Sequence, residues 1–487
     1  MDSFSIIDPA SAIGASLPRI EDETLLRGKG RFVDDLPMPG VLHVAFARSA
    51  MAHARLTSVN CEVARGMPGV HAVLTIDDLA PVLLDPRMPL GATTSDTRNN
   101  STPFVLAKGE VAYVGETIAM VVADSRYLAE DAASAIEIDY EPLDVVIDAR
   151  EAMKPESPKV RTELATNIYG KMDVGFGDVG PAFENAVHIV KDDIWQHRGC
   201  GQSMEPRGVL AEPRPADDSL CVWSSTQMPN DLFHTMALLY GMGDGQLRVI
   251  TPDVGGGFGP KYCIYPEELS VPAAARLLGR PLKWIEDRRE TFIASIQERD
   301  QYWMVEMALD ADGIIQGIRG ELVHDQGAYA PKAVNLPYNS ATAMTGPYIV
   351  PNYFMKVTIA HTNKVPVSSV RGAGYPQAVF AMERLMDRAA QMLGLSRDEI
   401  RRRNLIPLAK MPYTKKLKAR SGAAMVYDSG DYLKAQAETL EAAGWDGFAV
   451  RKAEALKQGR YIGVGLANAV KGTGRGPFES GNVTVAS

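Results

Sequence analysis

The chain is predicted to be an α+β protein of more than one domain. Its 487 residues exceed one ordinary domain and suggest roughly two to four. A hydrophobic fraction of 46% with 23% charged residues suits a globular protein with a large core. Short strand-like runs also alternate with helix-like ones, the pattern of a compact α/β or α+β unit.

Residues 1–26 read as an N-terminal arm. From Arg27 to about Arg150 come the strand-like runs Leu42–Phe46, Ile118–Val122 and Ala135–Asp139, and a helix-like run from Leu128 to Ala135. Met153-Lys-Pro-Glu-Ser-Pro-Lys-Val160 has the prolines and charge of a linker. Beyond it lie strand-like runs at Ser219–Trp223, Tyr302–Ala308 and Met355–Ile359. Pro376 is placed to open a helix, and Val379, Met382, Met386, Ala389 and Leu393 recur every three or four residues as its buried face. Glu383, Arg384, Asp387 and Arg388 fall on its other sides, and Gly394 ends it. Ser396-Arg-Asp-Glu399 matches a capping box opening a further helix, Asp398 to Arg403. There Arg401 to Arg403 read as a solvated face.

Composition excludes several functions. A net charge of −9 argues against nucleic acid or an anionic membrane as partner. No apolar run approaches the roughly 20 residues of a membrane helix. Met1-Asp-Ser-Phe-Ser-Ile-Ile-Asp8 lacks the basic and apolar regions of a signal peptide, so the cytoplasm is the expected location. Cys61, Cys200, Cys221 and Cys263 are too scattered for an iron–sulfur cluster, and the eight histidines form no H-E-x-x-H motif. Electrons from a redox reaction would leave through another polypeptide.

The most informative stretch is Thr251-Pro-Asp-Val-Gly-Gly-Gly-Phe-Gly-Pro-Lys261. The apolar run Leu247–Ile250 leads a strand into a loop of Gly255, Gly256, Gly257 and Gly259 around Phe258. Such glycines let a ligand approach the backbone, and amide-lined loops bind anions and polar oxo groups; a plain tight turn is the alternative. Lys261 is followed by Tyr262 rather than Ser or Thr, so a P-loop fails. Gly175, Gly177 and Gly180 spell the dinucleotide fingerprint, but Thr166–Asp173 before them reads as turn-like rather than as a buried strand, which disfavours a nicotinamide site. A second loop, Val370-Arg-Gly-Ala-Gly-Tyr-Pro376, carries Arg371 with Gly372, Ala373 and Gly374. Before both, Trp223-Ser-Ser-Thr-Gln227 ends a short strand on Gln227, which has amide donors and a carbonyl acceptor.

The ordered set W-S-S-T-Q, D-V-G-G-G-F-G-P-K and V-R-G-A-G-Y-P-Q resembles the molybdenum hydroxylase family, which includes xanthine dehydrogenase, aldehyde oxidoreductase and the carbon monoxide dehydrogenase large subunit. Asp35 to Arg55, Tyr113-Val-Gly-Glu116, Met204-Glu-Pro-Arg-Gly-Val209, Met382 to Asp387 and Arg402-Arg-Asn-Leu405 agree with it. The resemblance implies an α/β hammerhead domain over 27–150, a first molybdopterin-binding domain over 151–420, and the start of a second over 421–487. It implies molybdenum held by a pyranopterin dithiolene, in the cytosine dinucleotide form, with no protein ligand to the metal. Gln227 is similar to the glutamine that hydrogen-bonds an oxo or pterin oxygen. Phe258 and Gly259, with Gly256 and Gly257, resemble the loop beside molybdenum, and Arg371, Gly372 and Ala373 the second loop. Met204-Glu-Pro206 reads as structural.

Departures from the pattern refine the expectation. Gly372 and Ala373 stand where carbon monoxide dehydrogenases carry a copper-holding cysteine, which argues against CO. Tyr262 replaces a glutamate that anchors purines and offers an aromatic surface to an aldehyde or N-heterocycle. The family's general-base glutamate lies in a later segment; neither Gly115-Glu116 nor Gly320-Glu321 stands in the right order to be it. Gly481–Ser487 reads as a strand cut in mid-sheet, as in a split subunit or a fragment. A second polypeptide is therefore expected to carry the rest of the molybdopterin domain, with separate [2Fe-2S] and FAD subunits. The alternatives are a non-catalytic assembly or cofactor-delivery subunit, and a nicotinamide-dependent dehydrogenase.

Overall fold

The computed structural model describes residues 14–90, 102–243, 245–331, 334–420 and 422–472. The strand expected at Gly481–Ser487 and the first half of the N-terminal arm lie outside the described residues.

A seven-stranded mixed sheet runs in the order Leu247–Ile250, Ser219–Ser224, Gly208–Arg214, Leu282–Ile285, Leu42–Arg48, Thr117–Ala123, Val70–Leu74. The central join is parallel, with Leu42 opposite Leu282 and His43 opposite Lys283. Strands from before and after residue 150 thus share one hydrogen-bonded layer. Thr117–Ala123 is buried along its whole length, which explains its unbroken apolar run from Ile118: both faces are covered. Helix Arg126–Ser134 packs Ala129 and Ala132 against Ala45, Ala47 and Val121. Helices Pro229–Tyr240 and Pro266–Leu278 bury Leu232, Met236 and Leu269 with Val44, Met120, Val209 and Trp284.

A five-stranded sheet follows, in the order Ile168–Phe176, Tyr353–Ala360, Ile315–Asp325, Gln301–Leu309, His188–Gln196. Helices Asn335–Ala343, Tyr375–Leu393 and Arg397–Asn404 supply Ala341, Met382, Met386, Ala389 and Ile400 to its core, opposite Trp303, Met307, Leu322 and Val357. The long helix starts and stops where its proline and glycine imply, with Pro376 in the first turn and Gly394 left-handed (φ 65°) as cap. Ser396 caps the next helix by accepting the Glu399 amide.

Three local expectations are corrected. Glu383 and Arg401 are buried rather than solvated. Arg401 Nε donates to Glu383 at 2.7 Å and Nη2 to Asp387 at 2.8 Å, while the Tyr348 hydroxyl donates to Glu383 at 2.5 Å. Two charges that satisfy each other can sit in a core that neither enters alone. Residues 135–139 divide, Ala135 capping the preceding helix and Glu137–Pro142 forming the strand.

Thr166–Asp173, read as turn-like, contributes to the edge strand Ile168–Phe176. It pairs antiparallel with Tyr353–Ala360, Gly175 itself lying opposite Phe354, so the glycine fingerprint at 175–180 begins inside a strand. The short helix after it, Val179–Glu184, leads to no parallel partner. Its second amide, that of Gly180, is taken by the Asp178 carboxylate at 3.0 Å, which places negative charge where a pyrophosphate would sit. A Cβ on Gly175 would stand 2.5 Å from the Tyr353 carbonyl. Gly175 serves contact with the neighbouring strand, and the nicotinamide reading loses its support.

Candidate functional site

The site grows from one feature of the seven-stranded sheet. Ser219–Ser224 and Leu247–Ile250 are adjacent and parallel, with Trp223 opposite Ile250. Their following segments therefore leave the same edge of the sheet, at the carboxyl ends of strands, where α/β sheets place ligands. One segment carries Gln227 and the other the glycine loop. Gln227 Oε1 accepts the Gly259 amide at 2.9 Å, and the Gln227 amide donates to the Lys261 carbonyl at 2.8 Å. A Cβ on Gly257 would lie 2.5 Å from the Gln227 side chain, so glycine is required for this approach.

The second loop closes on the first. The Arg371 amide donates to the Phe258 carbonyl at 2.6 Å. A Cβ on Gly259 would press on the Ser369 carbonyl and stand 2.5 Å from Val370 Cα. Both loops are wound tightly: φ is 107° at Gly256, 114° at Gly259, 108° at Gly372 and 99° at Gly374, and left-handed at the non-glycines Phe258 (54°) and Ala373 (43°). The glycines adopt such angles freely, but the backbone strain at Phe258 and Ala373 is held only where the surroundings over-determine it, and it gathers at functional sites. Asn339 Nδ2 contributes by donating to the Ala373 carbonyl at 3.0 Å.

All the residues singled out in the sequence, Gln227, Gly256, Gly257, Phe258, Gly259, Arg371, Gly372 and Ala373, thus meet at one place. Tyr262 is half-buried in the turn after the loop, its amide bonded to the Gly259 carbonyl at 2.8 Å. Sequence reasoning missed the support beneath. Lys261 is buried, and its ammonium sits 2.7 Å from Glu205; burial pulls its pKa down, and Glu205 opposes that pull. A lysine inside a glycine-rich turn signals that a carboxylate is needed, but nothing in the order of residues says which one.

The chemistry of the assembled set is that of donors. The amides of Gly256, Gly257 and Phe258 have no acceptor among the described residues, and neither do Gln227 Nε2 or the Arg371 guanidinium. The buried hydroxyls of Ser203 and Ser369, which border the two loops, also lack partners among the described residues. Donors without acceptors suit an electron-rich, oxygen-bearing group, and a pterin with metal-bound oxo groups fits that description. Phe258 is 45% exposed, and Gln227 and Arg371 also lie on the open face of this chain. Among the described residues no cluster of His, Cys, Asp or Glu could hold a metal ion directly, and no helix is long and apolar enough to cross a membrane.

Known proteins share this architecture. The model of the molybdopterin cofactor-binding domain matches residues 160–405, and that of the aldehyde oxidase and xanthine dehydrogenase a/b hammerhead domain matches residues 27–144. The nicotine 6-hydroxylase large subunit of Paenarthrobacter nicotinovorans is 36% identical over 468 residues, covering 95% of this chain and 56% of the relative. The crystal structure of quinoline 2-oxidoreductase from Pseudomonas putida 86 is similar with a TM-score of 0.84 at 34% identity, covering 92% of this chain and 56% of that one. The chain therefore spans little more than half the length of these two relatives. A shorter one, the nicotinate dehydrogenase large molybdopterin subunit of Eubacterium barkeri, is 28% identical over 393 residues, which cover 80% of this chain and 88% of that protein. With both domain models matched on this fold, the chain belongs to the aldehyde oxidase and xanthine dehydrogenase family of molybdopterin-dependent oxidoreductases.

Proposed function

We propose that this chain forms the first part of the molybdopterin site of a multi-subunit molybdenum hydroxylase, which inserts water-derived oxygen at an aldehyde or N-heterocyclic carbon. The observation that carries the reading is the contact of the two glycine loops, which leaves three loop amides, Gln227 Nε2 and Arg371 with no acceptor among the described residues. In this reading the loop amides and Gln227 hold oxygen atoms of the bound group, and Arg371 stabilises negative charge that builds on it. Phe258 screens the site from water. Bound there, the molybdenum centre supplies a two-electron acceptor and an activated oxygen. The exposure of Phe258, Gln227 and Arg371 supports a second molybdopterin polypeptide, or the rest of this one, as the cover of the site. That segment would bring the general-base glutamate and continue the domain opened at 421–487.

The N-heterocyclic substrates in the names of the three relatives support that class, and Tyr262 and Ala373 keep purines and CO disfavoured. The Eubacterium barkeri subunit supports a split arrangement, being a molybdopterin subunit that this chain covers almost end to end. A cytosine dinucleotide form of the cofactor, with [2Fe-2S] and FAD on partner subunits, completes the proposal, and the cytoplasm is the proposed location.

The test is purification of the chain with its co-expressed neighbours. Molybdenum, acid-released cytidine nucleotide, and turnover of N-heterocycles or aldehydes are the expected results. A stable complex free of metal would favour an assembly or cofactor-delivery subunit instead.

A further inference from the structure

Both ends of the glycine loop converge on one side chain. Glu205 Oε2 accepts the Gly255 amide at 2.7 Å and faces the Lys261 ammonium at 2.7 Å. The Glu205 amide in turn donates to the Gly255 carbonyl at 3.1 Å. Lys261 is 3% exposed, and an ammonium so buried is tolerated only beside a paired carboxylate. Between these anchors the crown of the loop turns left-handed at Gly256, Phe258 and Gly259, at a cost only to Phe258, with no protein acceptor for the amides of 256–258 among the described residues. Closure at the base is therefore a main determinant of the crown's shape. The same anchor reaches Gln227, whose amide is tied to the Lys261 carbonyl. The segment bearing Glu205 is itself pinned from behind: Arg288 Nη2 donates to the carbonyls of Ser203 at 2.7 Å and Met204 at 3.1 Å.

We propose that Glu205 and Lys261 are a positioning pair, a clamp that sets where Gln227, Phe258 and Gly259 stand toward the bound pterin and its metal. The inference rests on the functional reading above. Neither residue is a catalytic group; each acts through the loop it closes. One carboxylate serves both ends, so its charge and its length are both required.

The experiment uses the co-purified complex as wild type, Glu205→Gln, Glu205→Asp and Lys261→Arg. Glu205→Gln keeps an acceptor for Gly255 but removes the charge facing Lys261. Glu205→Asp keeps the charge but is one methylene too short to reach both ends. Measured are molybdenum per chain, the Mo(V) electron paramagnetic resonance spectrum, kcat and KM. At equal molybdenum content both Glu205 variants are expected to shift the Mo(V) g-values and to lower kcat roughly 10–100-fold, the scale of a misplacement of about 1 Å. KM should stay within about twofold, as for an interaction expressed in the transition state. Lys261→Arg keeps the cation but forces a longer, bulkier guanidinium into a buried site, and is expected to shift the spectrum and lower kcat in the same direction. The proposal is overturned if the loaded fraction of either Glu205 variant keeps the wild-type spectrum and kcat, even where stability or loading falls, because that is what a merely structural role predicts. If Glu205→Gln does not accumulate, Glu205→Asp decides alone. A wild-type complex without molybdenum would instead overturn the functional reading and not the clamp geometry.

Discussion

Gly259→Ala tests the contact between the two loops without assuming any activity. The new methyl group would stand 2.5 Å from Val370 Cα and press on the Ser369 carbonyl, so relief demands that the loops part by about 1 Å, since carbon atoms sit comfortably near 3.5 Å. Both obstacles are backbone, which cannot swing aside as a side chain can. Overpacking of this kind costs about 1–3 kcal/mol. Forcing alanine into φ 114° adds about 1–3 kcal/mol, and loss of the Arg371 amide to Phe258 carbonyl bond adds about 0.5–1.5 kcal/mol. The sum is about 2.5–7.5 kcal/mol before relaxation. Gly394→Ala is the matched control: φ there is 65° and a Cβ meets nothing within 4 Å, so about 1–2 kcal/mol of left-handed strain is all it should lose. Urea titration of the two variants beside wild type measures the difference. With equal left-handed strain in the two variants, Gly259→Ala should fall below Gly394→Ala by about 1.5 kcal/mol or more, the overpacking and hydrogen-bond terms at their lower limits. Equal losses would refute the claim that the loops are pressed together.

Phe258→Ala changes an exposed side chain and should alter stability by no more than about 1 kcal/mol, whereas Gln227→Ala also removes the acceptor of the Gly259 amide and should cost about 1–3 kcal/mol; both should lower turnover of the assembled complex, and wild-type rates in both would remove them from the site. Arg401→Met strands Glu383 in the core and should cost about 3–5 kcal/mol, and Arg401→Met with Glu383→Gln should recover part of it, read by thermal unfolding. Burial raises Glu268 from an ordinary 4.5 to about 7, despite hydrogen bonds from the Ser224 hydroxyl and the Tyr265 amide. The folded state then holds this proton more tightly than the unfolded chain, so stability is greatest below about 4.5 and is lost as pH rises through 7. Glu268→Gln should flatten the stability profile between pH 5 and 7, and an unchanged slope would show that Glu268 does not titrate there. Glu116, raised to about 7 by the same cause, should behave alike in Glu116→Gln.

Much of this protein is written in local patterns. The helix Tyr375–Leu393 follows from a proline, a three-to-four-residue apolar stripe and a closing glycine, because those signals act within a few turns of chain. The strand Leu247–Ile250 running into glycines is likewise visible in a window of a dozen residues, as are the buried run at 117–123 and the capping serine at 396. The candidate site was legible as three unusual segments, since glycine clusters and a strand-end glutamine stand out by residue type. Their meeting was implied only by the family resemblance, and by no pattern of the residues themselves. It depends on the parallel pairing of Ser219–Ser224 with Leu247–Ile250 and on a hydrogen bond from Arg371 to Phe258 across more than a hundred residues of chain. The burial of Glu383 with Arg401, the clamp of Glu205 on Lys261, and the join of Leu42–Arg48 to Leu282–Ile285 share that reason. A charge or a lone strand has no preference of its own for the interior. Only the partner that arrives in three dimensions satisfies it, and a linear pattern does not name that partner.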